Sequence, residues 1–283
     1  MKVVVTGGSG GIGHVICMDL AQHGYEVVNA TRTAPKQPQP GVKFIQTNMV
    51  DMGEVVSAFA GADAVMHIAA IPSPVRNPAQ VVFSDNVVGT YNVCEACAAL
   101  GIGHVIYASS INHLGLDFRY RDFTPDYFPV DEAHRTMAQD PYGISKVASE
   151  EILHGFHRRT GMRAISIRPP AVVLPDQYQR RFDMNRQTPL KAGGFLWTYV
   201  DVRDLATIFR LALEHTELTD EVIYGTAEDA WAERPLAELI PLYFASAGDK
   251  ARFLTGNQAG VTNEKAKRLL GFHQQYFWRD IVK

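Results

Sequence analysis

A glycine-rich turn near the start of the chain restricts its possible folds more than any other feature. The run Lys2–Thr6 is rich in β-branched residues and predicts a buried strand. The apolar spacing after the turn predicts a helix that ends near His23. A strand, a tight glycine turn and a helix N-terminus form a cradle for a diphosphate, because bare backbone can approach the ligand and N–H groups point at its negative charge. We therefore expect a nucleotide-binding cradle formed by Gly7, Gly10, Gly11, Ile12 and Gly13.

Strand and helix signals alternate along the first 170 residues, which is typical of a doubly wound parallel sheet. The predicted strands are Val3–Thr6, Glu26–Thr31, Lys43–Gln46, Ala64–Ile68, His104–Ala108 and Ala164–Arg168. The predicted helices are Gly13–His23, Met52–Phe59, Val81–Leu100 and Pro141–Arg159. After Pro169 the alternation fades, and a helix near Asp201 and a strand at Glu221–Tyr224 return the chain to the sheet.

The predicted fold class is therefore α/β, with a Rossmann-type doubly wound parallel sheet and a small C-terminal substrate-binding cap. We expect the dinucleotide-binding Rossmann domain to contain residues 1–170 and 199–226. The small substrate-binding region is expected to contain residues 171–198 and 227–283.

Composition and charge limit the classes of function. A hydrophobic content of 46% supports a globular core, and a net charge of −3 gives no indication of a nucleic-acid partner. No apolar run approaches the roughly 20 residues of a membrane-spanning helix, and the N-terminus lacks a signal-peptide pattern. Cys94 and Cys97 have the spacing of metal ligands without a second pair, so no metal site is predicted. The three cysteines make no disulfide framework, and a cytoplasmic protein is the expectation.

Tyr142 and Lys146 form the main chemical signal, because residues four apart on a helix share one face. An ammonium near a phenol favours the ionised form, so we expect the pKa of Tyr142 below its usual value of about 10. A proton must move whenever a hydride is transferred to or from a C–O centre, and such a tyrosine can donate or accept it. The same spacing also occurs by chance where a surface lysine covers a half-buried tyrosine. The glycine cradle and the alternating strands favour the catalytic interpretation.

Several segments together resemble the extended short-chain dehydrogenase/reductases, a superfamily that includes nucleotide-sugar epimerases, dehydratases and uronate dehydrogenases. The resemblance runs nearly from end to end of the chain, so the joint pattern is more specific than any one segment. The segments are Gly7–Gly13, Asp63–Ala70, Asn86–Thr90, Val105–Ser110, Tyr142–Lys146, Ile167–Pro170 and Tyr199–Asp204.

The resemblance implies roles for particular residues. Ser110, with Ser109 as the alternative, would hold the substrate oxygen beside the phenol of Tyr142. Lys146 would bind the nicotinamide ribose. A homodimer that pairs through the helices Val81–Leu100 and Pro141–Arg159 is a further implication. The remaining residues expected to contact the cofactor are Ala69, Ala70 and Asn86, together with Tyr142.

The end of the second predicted strand bears on which dinucleotide binds. Enzymes that prefer NAD usually place an acidic residue there, whose carboxylate accepts hydrogen bonds from the ribose diol. Here the position is Thr31, and Arg32 follows, so a hydroxyl and a guanidinium are available to a 2′-phosphate. NADP is therefore the preferred cofactor and NAD the alternative, since Arg32 could also stack on adenine or point to solvent. Asn48 and Met49 stand where the superfamily often has Asp-Leu, so an amide would meet the adenine.

A short loop and an arginine pair supply the candidate contacts to a small-molecule substrate. Asn112 and His113 resemble the Ser-Ser-Asn-His sequence of uronate dehydrogenases, with Ile111 inserted, although His113 could be a partly exposed loop histidine. Arg180 lies near where those enzymes place a carboxylate-binding arginine, although an arginine pair in a polar loop is commonly solvated. The aromatic insertion 117–129 could be a lid over the substrate, a subunit contact or a loop pinned by its own aromatics.

The sequence leaves three functions open. The first is an NADP(H)-dependent oxidoreductase that moves a hydride between nicotinamide and a small hydroxy or carbonyl compound, such as a sugar or a sugar acid. Thr31, Arg32 and a short cap favour this function. The second is a nucleotide-sugar epimerase, which uses the same three catalytic residues and retains its dinucleotide through the cycle. The third is a non-catalytic NADP-sensing regulator, although such proteins usually lack the Tyr-x-x-x-Lys pair.

Overall fold

A seven-stranded sheet forms the centre of the structure, and all of its strands are parallel. The computed structural model describes residues 1–283. Its strands are β1 (Lys2–Thr6), β2 (Glu26–Thr31), β3 (Val42–Gln46), β4 (Ala64–His67), β5 (His104–Ala108), β6 (Arg163–Arg168), β7 (Ala171–Val173), β8 (Tyr199–Asp201) and β9 (Asp220–Tyr224). The spatial order is β3-β2-β1-β4-β5-β6-β9, and β7 pairs with β8 in a separate parallel ribbon. This order confirms the predicted Rossmann-type sheet, and it leaves a crevice at the carboxyl ends of β1 and β4.

Helices cover both faces of the sheet. They are α1 (Gly11–Gln22), α2 (Met52–Phe59), α3 (Ala79–Leu100), α4 (Pro141–Thr160), α5 (Tyr178–Gln187), α6 (Val202–Glu214), α7 (Leu236–Tyr243), α8 (Glu264–Leu270) and α9 (Trp278–Ile281). Aspartate side chains cap α2, α4 and α6 by accepting hydrogen bonds from N–H groups of the first turn: Asp51, Asp140 and Asp201. None of these helices has both the length and the apolar character needed to cross a membrane.

Alternating side chains along the strands form two cores. Val3 and Val5 of β1 belong to a core shared with α1, α6 and α8, whereas Val4 belongs to a core shared with α2, α3 and α4. All three valines are fully buried. Because helices cover both faces, the central strands β1, β4 and β5 are almost fully buried and mostly apolar, whereas the edge strand β3 is largely exposed. The bounds of all the predicted strands agree with the observed ones to within one residue at each end.

The cap has its own core, but the C-terminal segment is shared between the two regions. Leu196 and Leu239 are buried in the cap core. Ala266, Leu270 and Phe272, from α8 and the residues after it, lie instead in the same core as β1 and α6. These residues fall inside the range 227–283 that the sequence assigns to the substrate-binding region. We therefore propose that residues 264–272 belong to the nucleotide-binding unit.

Candidate active site

The crevice at the strand ends opens into a cleft of about 650 Å³. Its lining includes every residue of the expected cofactor set except Tyr142 and Lys146: Gly7, Gly10, Gly11, Ile12, Gly13, Thr31, Arg32, Asn48, Met49, Ala69, Ala70 and Asn86. Other lining residues were not indicated by the sequence, among them Ser9, Thr33, Thr47, Ile71 and Asp85. The position and the lining of the cleft fit a dinucleotide.

The turn between β1 and α1 has no room for side chains at two positions. Gly7 has a φ of +72°, and a Cβ there would lie 2.8 Å from the backbone of Ala69. A Cβ at Gly13 would lie 2.3 Å from the carbonyl oxygen of Gly7. No side chain caps the first turn of α1, and no acidic residue lies in that turn. Its N–H groups therefore remain available to an anion, as a diphosphate cradle requires.

Two buried polar side chains fix the loop that follows β4 and forms one wall of the cleft. Thr6 Oγ1 accepts hydrogen bonds from the N–H groups of Ile68 and Ala69, each at 3.1 Å. Asn86 binds Ile71 twice, because Oδ1 accepts from its N–H at 2.7 Å and Nδ2 donates to its carbonyl at 3.2 Å. Asn86 thus lines the cleft as expected, but its amide is used to shape the wall.

Arg32 meets a carboxylate from another element within the cleft. Its guanidinium lies 3.6 Å from Oδ2 of Asp85 on α3, and both residues line the cleft. The absence of an acidic residue at the end of β2 is part of the argument for NADP. Asp85 supplies a carboxylate to the same place from a distant part of the chain. The expectation that no carboxylate lies there to repel a 2′-phosphate is therefore wrong. A guanidinium and a carboxylate together lie where the sequence indicates a guanidinium alone.

Helix α4 places Tyr142 and Lys146 beside the end of β5. The Asp140 side chain accepts hydrogen bonds from two N–H groups of the first turn, at 2.9 and 3.0 Å, which fixes the start of the helix. Lys146 Nζ donates to the Ala108 carbonyl at 2.7 Å and lies 5.6 Å from the ring centre of Tyr142. The hydroxyl of Ser110 lies near enough to the Tyr142 phenol to oppose the rise of the phenol pKa that burial causes. The structure thus brings the three expected catalytic side chains together.

The pKa of Tyr142 is shifted in the direction opposite to the predicted one. Burial raises this pKa to about 12, the Ser110 hydroxyl opposes the shift and the Asp140 carboxylate adds to it. Lys146 does not reverse the effect, because burial disfavours its own charge and lowers the pKa of Lys146 to about 7. The prediction of a lowered Tyr142 pKa is therefore wrong for the protein alone, since desolvation outweighs the neighbouring cation.

A buried ion pair lies directly behind Ser110. Arg168, the last residue of β6, donates to both carboxylate oxygens of Glu150 on α4, at 2.8 and 2.7 Å. The hydroxyl of Ser109 donates to the same carboxylate at 2.5 Å. All three side chains belong to residues that are at most 5% exposed. Because the Ser109 hydroxyl is bound here, Ser110 is the serine that lies beside the phenol.

The two candidate substrate residues after Ser110 have different environments. Asn112 is buried and donates its backbone N–H to Ser110 Oγ at 3.1 Å, and its contact with a substrate stays a prediction. His113 is fully buried, and its Nε2 is hydrogen-bonded to the Tyr224 hydroxyl at 2.5 Å. The inserted Ile111 begins a short 3₁₀ turn that directs His113 into the core. The alternative of a partly exposed loop histidine is therefore wrong, and the substrate contact from His113 stays a prediction that its burial does not support.

Arg180 lies on the solvent side of α5. Tyr178 and Phe182 pack into the cap, whereas Arg180 is exposed and lines neither the cleft nor the cap cavity. The carboxylate contact from Arg180 stays a prediction, which its exposed position outside both cavities does not support. Arg186, one turn beyond Phe182, lines a second cavity of about 220 Å³. The spacing of residues 178, 182 and 186 is the signal that would have selected Arg186. The cavity is also lined by all three tryptophans of the chain, Trp197, Trp231 and Trp278.

The aromatic insertion 117–129 folds inward against both the cap and Tyr142. Phe118 packs against the small cluster that Tyr142 forms with Ile71 and Val82. Arg119 donates to the hydroxyl of Tyr243 on α7 at 2.8 Å, and two further phenylalanines of the segment pack on the cap core. Because the segment reaches Tyr142, its position favours a wall of the substrate site over a subunit contact.

Residues 3–224 match the NAD dependent epimerase/dehydratase family, and the chain belongs to that family. The resemblance to extended short-chain dehydrogenase/reductases is thereby confirmed. The protein is an NAD(P)-dependent enzyme of this type. Family membership favours an enzyme over the non-catalytic regulator.

Two relatives and one solved structure show how far the similarity extends. The UDP-glucose 4-epimerase of Corynebacterium glutamicum is 25% identical over 98% of this chain and 92% of that protein. The 2-alkyl-3-oxoalkanoate reductase of Stenotrophomonas maltophilia is 29% identical over 95% of this chain and 84% of that protein. A short-chain dehydrogenase/reductase superfamily protein from Agrobacterium tumefaciens, solved with bound NAD, has a TM-score of 0.75 and 20% identity over 99% of this chain and 94% of that one. The relatives include an epimerase and a reductase, so the similarity shows the family without selecting the reaction.

Proposed function

We propose that the protein is an NADP(H)-dependent oxidoreductase that transfers a hydride between nicotinamide and a small hydroxy or carbonyl substrate, such as a sugar or a sugar acid. Tyr142 exchanges the proton with the substrate oxygen, and Ser110 holds that oxygen beside the phenol. Lys146 binds the ribose and places a positive charge near Tyr142. The observation that carries the proposal is the convergence of these side chains next to the cleft, where Ile71 both lines the cleft and packs on Tyr142.

The residues of the cleft have distinct proposed roles toward the dinucleotide. The N-terminus of α1 would hold the diphosphate, Asn48 would meet the adenine, and Arg32 would bind a 2′-phosphate. When bound, the nicotinamide supplies or accepts the hydride, and all proton transfer falls to this chain. Arg32 favours NADP and Asp85 opposes it, because a carboxylate repels a phosphate. We therefore propose NADP as the preferred cofactor and not as an exclusive one.

Carbonyl reduction uses the protonated form of Tyr142. A phenol with its ordinary pKa of about 10 is already protonated at neutral pH, and burial, which raises the pKa of Tyr142 to about 12, keeps it in that form. A protonated phenol can donate to a carbonyl oxygen as the hydride arrives at the carbon. The reverse reaction needs the phenolate, which requires positive charge from Lys146 and the oxidised nicotinamide.

The first experiment is to release the dinucleotide by heat from freshly purified protein, and then to identify and quantify it. An empty protein that binds added NADPH reversibly supports the oxidoreductase, and a screen of small carbonyl compounds with NADPH follows. Stoichiometric bound NAD or NADP would instead indicate a cofactor that is retained between turnovers.

The second candidate function is a nucleotide-sugar epimerase. The similarity to the Corynebacterium glutamicum UDP-glucose 4-epimerase over nearly the whole chain favours it. An epimerase oxidises and reduces the same substrate, so it interconverts two UDP-hexoses without net change in NAD(P)H absorbance. Interconversion of UDP-glucose and UDP-galactose, followed by chromatography, together with a retained dinucleotide would replace the first proposal by this one.

The role of Tyr142 can be tested by removing one hydroxyl. We expect Tyr142→Phe to abolish turnover while NADPH binding remains nearly intact, because the ring keeps its packing against Ile71 and Phe118. Fluorescence titration with NADPH measures binding, and the rate with the best substrate of the screen measures turnover. Full activity in this variant would overturn the assignment of the proton to Tyr142.

A homodimer and a reducing compartment complete the proposal. Val88, Tyr91 and Ile144 expose apolar surface on the packed helices α3 and α4, with 44%, 48% and 42% of each residue exposed. Light scattering on the purified protein measures its mass, and Val88→Lys should yield monomer; a monomeric wild type would contradict the dimer.

The three cysteines are buried and unpaired, which supports the reducing environment of the cytoplasm.

A further inference from the structure

Helix α4 carries a third polar residue on the face of Tyr142 and Lys146. Glu150 lies one turn beyond Lys146, just as Lys146 lies one turn beyond Tyr142. All three are buried, with at most 8% exposed. Lys146 donates a hydrogen bond to the Ala108 carbonyl and Glu150 accepts one from the Ser109 hydroxyl, so both bind consecutive residues at the end of β5. The face of α4 is therefore attached to this end of the strand at two successive points, with Tyr142 near Ser110.

Glu150 is the charged neighbour that favours the protonated form of Lys146. The aromatic neighbours of its ammonium are uncharged: Tyr142 on α4, and Tyr107 on β5 with its ring centre 4.7 Å from Nζ. His67 on β4 stays neutral as well, because burial and the charge of Lys146 lower the pKa of His67 to about 3. Glu150 is the acid whose charge favours protonated Lys146 against desolvation.

Arg168 on β6 controls how Glu150 acts on this site. Its two hydrogen bonds of 2.8 and 2.7 Å fix the carboxylate, and the charged pair is buried. A buried carboxylate without such a partner would be protonated and would lose its effect on Lys146. The buried group therefore contains two cations, Lys146 and Arg168, around one anion.

We propose that Glu150 is a positioning residue whose carboxylate favours the protonated form of Lys146, with Arg168 maintaining the Glu150 carboxylate. This inference rests on the proposed function, because the charge of Lys146 affects the reaction only through its role beside Tyr142. Its test measures proton binding and needs no substrate. Failure of this inference is therefore distinguishable from failure of the proposed function.

The test is an NMR titration of the full chain with lysine labelled with ¹³C at Cε. The signal of Lys146 is assigned by its absence from Lys146→Arg. In the wild type we expect Lys146 to titrate near pH 7. In Glu150→Gln we expect its midpoint about one pH unit lower, because an opposite charge has been removed. Ser109→Ala is the matched control, since it deletes a hydrogen bond to Glu150 and keeps the carboxylate, and its midpoint should equal that of the wild type.

An unchanged Lys146 midpoint in Glu150→Gln would overturn the inference and leave Glu150 a structural partner of Arg168. The same shift in Ser109→Ala would also overturn it, because the effect would then come from the position of the strand end. If Glu150→Gln fails to fold, the double variant Glu150→Gln/Arg168→Met removes both charges and leaves none unpaired. Its Lys146 midpoint is again expected below that of the wild type, and an equal or higher midpoint would refute the role of Glu150.

Discussion

Lys146 is expected to lower the stability of the protein at neutral pH. Only 3% of this residue is exposed, and burial lowers its pKa from 10.5 to about 7. Since one pKa unit corresponds to about 1.4 kcal/mol, the charged form costs about 5 kcal/mol in the folded state. When the titration of Lys146 is counted in both the folded and the unfolded state, this lysine lowers the free energy of unfolding by about 4 kcal/mol at pH 7. The loss is about 2 kcal/mol at pH 9 and under about 1 kcal/mol at pH 10.

The sign of the pH dependence follows from proton binding. Between pH 7 and pH 10.5 the unfolded chain binds more protons at this lysine than the folded protein, so this contribution raises stability as pH increases. Lys146→Met removes the titrating group but leaves the Ala108 carbonyl without its donor, which costs about 1–3 kcal/mol. We therefore expect Lys146→Met to be more stable than the wild type by about 2 kcal/mol at pH 7, and less stable by about 1 kcal/mol at pH 10.

The assay is guanidinium denaturation of both proteins at pH 7 and pH 10, followed by tryptophan fluorescence. The difference between the two proteins at each pH cancels the other titrating groups. Lys250→Met is the matched control, because Lys250 donates to the Pro125 carbonyl at 3.1 Å from an exposed position. Its effect should be within about 0.5 kcal/mol at both pH values. A stability difference for Lys146→Met that is the same at pH 7 and pH 10 would refute the reasoning.

Three further substitutions have definite expected outcomes. Arg32→Ala should weaken NADPH binding by about 1.5–3 kcal/mol and spare NADH, in fluorescence titrations of each nucleotide, and equal losses would remove the argument for a 2′-phosphate contact. Asp85→Asn should strengthen NADPH binding about two- to fivefold by isothermal titration, because a carboxylate 3.6 Å from Arg32 is neutralised, and weaker binding would contradict this. Arg168→Met should destabilise the protein by about 3–5 kcal/mol in urea denaturation, because Glu150 is left buried without a partner, and a loss under about 1 kcal/mol would show that another group compensates.

Local patterns account for the parts of the structure that the sequence predicts. Gly13 must be glycine because the carbonyl oxygen of Gly7 lies against it, and Gly7 must be glycine because the backbone of Ala69, just after β4, lies against it. The central strands β1, β4 and β5 are recognisable because both of their faces are buried. Tyr142 and Lys146 share a helix face, so their proximity follows from their spacing alone.

The features that the sequence could not predict arise where distant segments meet. Asp85 reaches Arg32 only because α3 and the end of β2 border the same cleft. His113 turns inward because a single inserted residue starts a 3₁₀ turn, an effect that no periodicity indicates. The shift in the Tyr142 pKa depends on the depth of burial, and a helix pattern gives the face of a residue but not how much water reaches it.

The packing of α8 has a consequence for how the chain folds as it is synthesised. Leu270 and Phe272 complete the same core as Val3 and Val5, so a core that begins at the first strand is finished by one of the last helices. A ribosome adds about 5–20 residues per second and releases the N-terminus first. One face of the sheet therefore stays partly uncovered until residue 272 has left the exit tunnel. Until then, the nascent protein exposes an apolar surface that a chaperone can bind.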